Sequence, residues 1–177
     1  GSSLDASSAS AKTICGAGIP RPICSRKRSR STSNSIGSAL RRASKILSHH
    51  KVSLELEADL PMLELDAVLF EQALFNLLDN AAKYAPPDTT VSIRGWRDGN
   101  FVSLQILDEG EGIPHSELES VFDKFYRAQK GDHVRPGTGL GLAIASRVVA
   151  EHRGYIRVKD NKPAGTVFSI ELPMKEG

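Results

Sequence analysis

The segment "AVLFEQALFNLLDNAAKYA", residues 67–85, limits what this chain can become more than any other stretch. Phe70, Ala73, Leu74, Leu77 and Ala81 fall at helical spacing, so a helix here carries one apolar stripe that must find a partner layer. Asp66 is a candidate N-cap, and Pro86 with Pro87 forbids continuation, so both ends are marked. Beside the stripe stands an oddity: Asn76, Asn80 and Lys83 recur at i, i+4 and i+7 along a neighbouring face. Asparagine is a mediocre helix former, and two of them next to a core stripe need partners or water. A solvated helix edge accounts for Asn76 alone; with Lys83 in line, a polar ligand lying along the helix is the better account. Amide oxygens suit a hard cation such as Mg2+, and an ammonium suits phosphate.

The partner layer is read from alternation. "VSLELE" alternates apolar and polar residues until Pro61 breaks the run. "TVSIRGW" and "FVSLQILD" flank the turn "RDGN" as a hairpin, and "YIRVKD" and "TVFSIEL" flank "NKPAG". An earlier helical stripe, Ile36, Leu40, Ala43 and Leu47, predicts one short linker helix within residues 36–50. Helices and strands occur without strict alternation, which predicts an α+β fold: a two-layer sandwich whose mixed sheet is covered on one face by helices.

Charge divides the chain in two. Residues 1–50 hold nine Lys or Arg and one acid, Asp5, leaving 14 basic against 20 acidic residues in the remaining 127. A mildly acidic body argues against duplex nucleic acid as a partner, because such binding rests on neutralising phosphates. Residues 1–35, tag-like at the start and then rich in Ser and Arg, have almost nothing to bury and read as disordered. Both cysteines, Cys15 and Cys24, lie there, so neither a disulfide framework nor a cysteine metal site is expected in the body. No apolar run approaches the roughly 20 residues that span a bilayer. The chain reads as a soluble, cytoplasmic domain without membrane contact.

A second constellation is the loop in "RPGTGLGLAIASRVVAEHRG", residues 135–154. Gly137, Gly139 and Gly141 let a ligand approach the backbone just before a helix, whose first N–H groups carry a partial positive charge. An isolated glycine triplet of this sort reads as a hinge or a close-packed loop entry, and with the helix behind it as an anion site, most economically for phosphate and of an unfamiliar kind. A Walker loop needs Lys and then Ser or Thr where Leu142 and Ala143 stand, and the dinucleotide fingerprint needs G-x-G-x-x-G in a βαβ unit. A third oddity, "DEGEGIP" at residues 108–114, puts the Asp108 carboxylate at the end of an apolar strand, in a backbone opened by Gly110 and Gly112.

In this order, "NLLDNAAKYAP", "DEGEGIP", "VFDKFYR" and "GTGLGLA" resemble the N, G1, F and G2 boxes of the catalytic ATP-binding domain of sensor histidine kinases. The late "AGTVFSIELP" is similar to that family's terminal G3 element, and the wording resembles potassium-responsive kinases of the Kdp type. The likeness covers about residues 51–174, within a catalytic domain expected over 51–177. It implies the Bergerat ATP-binding fold, with Asp108 accepting a hydrogen bond from the adenine amino group. It implies Mg2+ on Asn80, and Asn76, Lys83 and Tyr84 flanking the phosphates. Arg127 would reach phosphate from the side of a lid that Gly137, Gly139 and Gly141 would let close. The backbone N–H groups of Thr138, Gly139, Leu140, Gly141 and Leu142, with Gly137 before them, would lie on the triphosphate. Gly110, Gly112, Ile113 and Thr166 complete the implied ATP-binding set.

The resemblance also implies partners. The phosphoacceptor His would sit on a dimerisation domain absent from this chain, so no catalytic residue is expected here, and a response regulator would follow. The full-length protein would be an inner-membrane sensor. His49 and His50 read as linker side chains and His152 as structural. Hydrolytic cousins in the superfamily are similar to one another in carrying Glu where Asn76 stands, so efficient autonomous ATP hydrolysis is not expected. Arg153 stands where the family often has Gly. The alternative is a regulatory nucleotide-binding module, or a serine kinase of the anti-sigma-factor type.

Overall fold

A computed structural model describes residues 12–15, 28–126 and 139–174. The elements run β1 Lys12–Cys15, β2 Arg28–Ser31, α1 Thr32–Ala43, β3 Lys51–Leu56, β4 Met62–Leu65, α2 Ala67–Tyr84, β5 Thr90–Asp98, β6 Phe101–Leu107, a 3-10 turn His115–Glu117, α3 Gly141–Glu151, β7 Tyr155–Asp160 and β8 Thr166–Pro173. The main sheet has the order β1-β7-β8-β6-β5-β3, with β3 parallel to β5 and the other pairs antiparallel. A parallel pair needs a long connection, and α2 lies within the one from β3 to β5.

Register explains the two layers. Val102, Leu104 and Ile106 of β6 face Leu172, Ile170 and Phe168 of β8, and all six are buried. Ile156 and Val158 of β7 extend the same face, as do Val91 and Ile93 of β5. Period two sends the alternate residues to the other face, where Gln105 donates to Ser169 and Arg157 pairs with Glu171. The apolar face is covered by α2, whose Phe70, Ala73, Leu74, Leu77, Leu78 and Ala81 are buried, and by α3 through Ala145, Val148 and Val149. This is the predicted α+β sandwich. Asp66 caps α2 as expected, its carboxylate accepting from Leu69 N at 3.1 Å.

The N-terminal expectations need correction. Helix α1 opens at Thr32, and its Ile36, Ala39 and Ala43 are buried against α2 with Leu47. The helix is therefore part of the core and not a linker. Two short strands, β1 on the edge of the main sheet and β2 paired with β4, fall inside the stretch expected to be disordered. Backbone pairing with an open edge requires no apolar side chain, so composition gave no sign of it. The His50 side chain is likewise docked, its Nε2 3.1 Å from Ala85 O, whereas His49 is exposed and, among the described residues, only its backbone carbonyl is engaged, accepting from Asp88 N at 2.8 Å.

α3 ends in a Schellman arrangement, with Gly154 N on Val149 O at 2.9 Å and Arg153 N on Ala150 O at 3.0 Å. The position after the cap residue His152 needs left-handed backbone, and Arg153 supplies it at φ +59°. His152 proves structural. Its Nδ1 donates to Val148 O at 2.8 Å and its Nε2 accepts from Asp66 N at 2.9 Å, pinning the end of α3 to the start of α2.

Candidate functional site

The site is built along α2, with one cluster at its C-terminal end and another near its middle. At the first, Asp108 follows β6 and its backbone N donates to Thr166 O at 3.0 Å, which brings "DEGEGIP" against "AGTVF". The side chain is 2 % exposed and accepts from Gly110 N at 2.9 Å. Burial pushes its carboxyl above the ordinary range, and backbone hydrogen bonds at Gly110 and Thr166 pull it part of the way back. Such a group is a strong acceptor, held at a fixed angle, whose charge has few competing partners.

The glycines around it are set by contact. A Cβ on Gly165, at φ +113°, would lie 1.9 Å from Asp108 O, so only glycine lets the two segments meet. A Cβ on Gly110 would lie 2.7 Å from Tyr84 O, which places this cluster on the last turn of α2. Gly112 lies against Gly165 O, and Ile113 packs on the core. Sequence reasoning missed Asn161. Its Nδ2 donates to Asp108 O at 2.8 Å and its Oδ1 accepts from Lys162 N at 3.0 Å, so one side chain ties the "NKPAG" turn to the strand end. An Asn opening a turn is common enough that sequence held no cue to its partner 53 residues away.

Around the middle of α2, Asn76 Nδ2 donates to Gly141 O at 3.1 Å, joining the long helix to the first residue of α3. No side chain caps α3, whose opening N–H groups lack intrahelical partners. Asn76 Oδ1 accepts from Gln72, so its amide is committed to protein at both ends. The Asn80 side chain, one turn on, makes no hydrogen bond to another described residue, and its carboxamide oxygen is a ligand suited to Mg2+. Lys83 pairs with Asp79 at 2.7 Å. Leu142 packs on the core, and Leu140 directly precedes α3.

Phe125 and Gly139 meet across the segment between them: Phe125 N donates to Gly139 O at 2.9 Å. A Cβ on Gly139, at φ +71°, would lie 2.7 Å from the Phe125 backbone. Tyr126 donates its hydroxyl to Glu117, and burial together with that carboxylate and the nearby Tyr84 raises the phenol far above its usual range. Arg127, Gly137 and Thr138 lie outside the described residues. Among the described residues no cluster of three or more His, Cys, Asp or Glu could hold a metal, and no helix is long and apolar enough to cross a membrane.

A mixed sheet covered on one face, a buried carboxylate at a glycine-lined strand end and asparagines along the facing helix define a class: α+β domains of the ATP-binding kind. The family model described as "Histidine kinase-, DNA gyrase B-, and HSP90-like ATPase" matches residues 65–176, and the chain belongs to that family. It is similar to sensor protein KdpD of Clostridium acetobutylicum, 35% identical over 139 residues, covering 78% of this chain and 15% of that protein. It is also similar to sensor protein RprX of Bacteroides fragilis, 39% identical over 127 residues, covering 70% of this chain and 24% of that one. A solved mycobacterial sensor histidine kinase, MprB, superposes with TM-score 0.75 at 32% identity, over 86% of this chain and all of that one. Within its family, then, the chain is the ATP-binding catalytic domain of a sensor histidine kinase. It spans less than a quarter of the length of these two full-length relatives.

Proposed function

We propose that this domain binds Mg·ATP along α2 and presents the γ-phosphate to a phosphoacceptor His on the dimerisation domain of a longer kinase. From there the phosphoryl group passes to a response regulator. The observation that carries this reading is the placement of Asp108 at one end of α2 and the Asn76–Gly141 contact near its middle. Eight residues of helix separate Asn76 from Tyr84, about 12 Å at 1.5 Å per residue, a span suited to an extended nucleoside triphosphate. In this pose Asp108 takes the adenine amino group, and Gly110, Gly112, Ile113 and Thr166 enclose the base. Asn80 holds Mg2+, which when bound screens the phosphate charges. Asn76, Lys83 and Tyr84 flank the phosphates, the opening N–H groups of α3 face them, and Arg127, Gly137 and Thr138 complete the set. Catalysis here is positioning and charge neutralisation, because Asn76 is an amide committed to Gly141 and cannot act as a base toward water.

We further propose that residues 51–177, with α1 packed against α2, form this catalytic domain, on the cytoplasmic side of an inner-membrane sensor of the Kdp type that responds to potassium. The similarity to KdpD supports that finer reading, and the similarity to RprX and MprB makes it separable from the first. Calorimetry tests the core proposal: Mg·ATP binds in preference to Mg·GTP, and Asp108→Ala weakens ATP binding about tenfold to a hundredfold, as expected for a hydrogen bond to a charged group. Equal ATP and GTP affinity would remove Asp108 from the adenine site.

A further inference from the structure

A continuous line of hydrogen bonds runs from α1 to the start of α3. Arg42 Nη2 donates to Gln72 Oε1 at 3.1 Å, Gln72 Nε2 to Asn76 Oδ1 at 2.8 Å, and Asn76 Nδ2 to Gly141 O at 3.1 Å. The outer end is held by the Arg42 guanidinium, 4.9 Å above the Phe75 ring. The line has a forced direction. Arginine only donates, so Gln72 must turn its oxygen to Arg42 and its NH2 to Asn76. Asn76 must then turn its oxygen to Gln72, which leaves its NH2 for the Gly141 carbonyl. With the opposite orientation, two acceptors would oppose each other at Gly141.

We propose that Gln72 is a positioning residue for the phosphate end of the nucleotide site: it fixes the orientation of the Asn76 amide, which in turn fixes where α3 begins. The proposal rests on the nucleotide reading given above. Among the described residues the Gln72 side chain hydrogen-bonds Arg42 and Asn76, and neither bond goes to the opening of α3 or to Asp108. Its links are exposed or half-buried, so its loss acts less on folding than on the placement of the backbone that meets the phosphates. Arg42 acts one step further out.

The test compares the intact chain with Gln72→Met, which keeps volume and removes both hydrogen bonds, with Asn76→Ala and with the double variant. Dissociation constants are measured for Mg·ATP by calorimetry and for adenosine by NMR titration, with thermal melts alongside. Gln72→Met is expected to weaken Mg·ATP about threefold to tenfold, the range of the one neutral hydrogen bond it loses to Asn76, while adenosine affinity stays as in the parent. The double variant should bind Mg·ATP no more weakly than Asn76→Ala, because Gln72 acts only through Asn76. Arg42→Ala should give a smaller loss of the same kind. Unchanged Mg·ATP affinity in Gln72→Met, an equal loss for adenosine and ATP, or additive losses in the double variant would each overturn the positioning role. A parent chain that binds no ATP would remove the nucleotide reading itself, an outcome distinct from a parent that binds while Gln72→Met behaves like it.

Discussion

The two ends of the site are made by different means. At the Asp108 end the backbone itself is the fitted part: Gly165 and Gly110 approach carbonyl oxygens so closely that a single methyl group would collide. At the Gly141 end the elements are held by side-chain amides, and a Cβ on Gly141 would lie 3.8 Å from Asn76, an ordinary contact. A hydrogen bond through a flexible amide can lengthen and re-form, whereas a carbonyl 1.9 Å from an added carbon must move with its strand. The first end is therefore expected to be stiff and intolerant, the second adjustable.

Gly165→Ala tests that contrast most severely. Collision with Asp108 O, added to left-handed backbone, should cost about 3 kcal/mol or more, seen as a large drop in the urea midpoint. A midpoint near that of the parent would show that the Asp108 end yields after all.

Asp108 itself should separate stability from binding. Its carboxyl is raised in the folded state, so the stability linked to its proton is complete below the ordinary value of 3.8 and is lost as pH rises through the folded value. At neutral pH the buried charge is a cost. Asp108→Asn should raise the apo melting temperature at pH 7 while weakening ATP binding about tenfold to a hundredfold, since a charged acceptor is lost. The melting advantage should shrink as pH falls toward 4. A variant less stable than the parent at pH 7 would mean that the hydrogen bonds at Gly110 and Thr166 outweigh burial.

Away from both ends, Arg153→Gly relieves a left-handed non-glycine residue at the end of α3 and should stabilise by about 1 kcal/mol, read as a higher melting temperature. No gain would place the strain elsewhere. The smallest effect is expected from Gly141→Ala. The glycine-to-alanine difference of up to about 1 kcal/mol in a helix interior is only partly realised at the first position of α3, and the methyl has room, so stability should hold or rise by about 0.5 kcal/mol. A loss as large as that of Gly165→Ala would erase the difference between the two ends.

Much of this architecture was legible without coordinates. The apolar stripe of α2, its Asp66 cap and the alternation in β5, β6, β7 and β8 are periodic signals, and periodicity follows from local backbone geometry. Asp108 and the asparagines stood out because their types conflict with their surroundings. The strands β1, β2 and β4 did not, since each is only four residues long and is stabilised by its neighbour and not by its own pattern. The Arg127, Gly137 and Thr138 assignments rest on the motifs in which they stand.

The sequence by itself determined which faces are apolar, where α2 must start and stop, and that a carboxylate, amides and a glycine loop recur in the order of one ATPase family. These are properties of neighbours along the chain, and local sterics and hydrophobic period suffice for them. Only the tertiary structure decided that α1 belongs to the core, that Asn161 clamps Asp108 and that Arg42, Gln72, Asn76 and Gly141 form one directed line. It also decided which glycines are obligatory. A collision between Gly165 and a carbonyl 57 positions earlier, or a hydrogen bond from Asn76 to a residue 65 positions later, depends on how layers pack and leaves no trace in spacing.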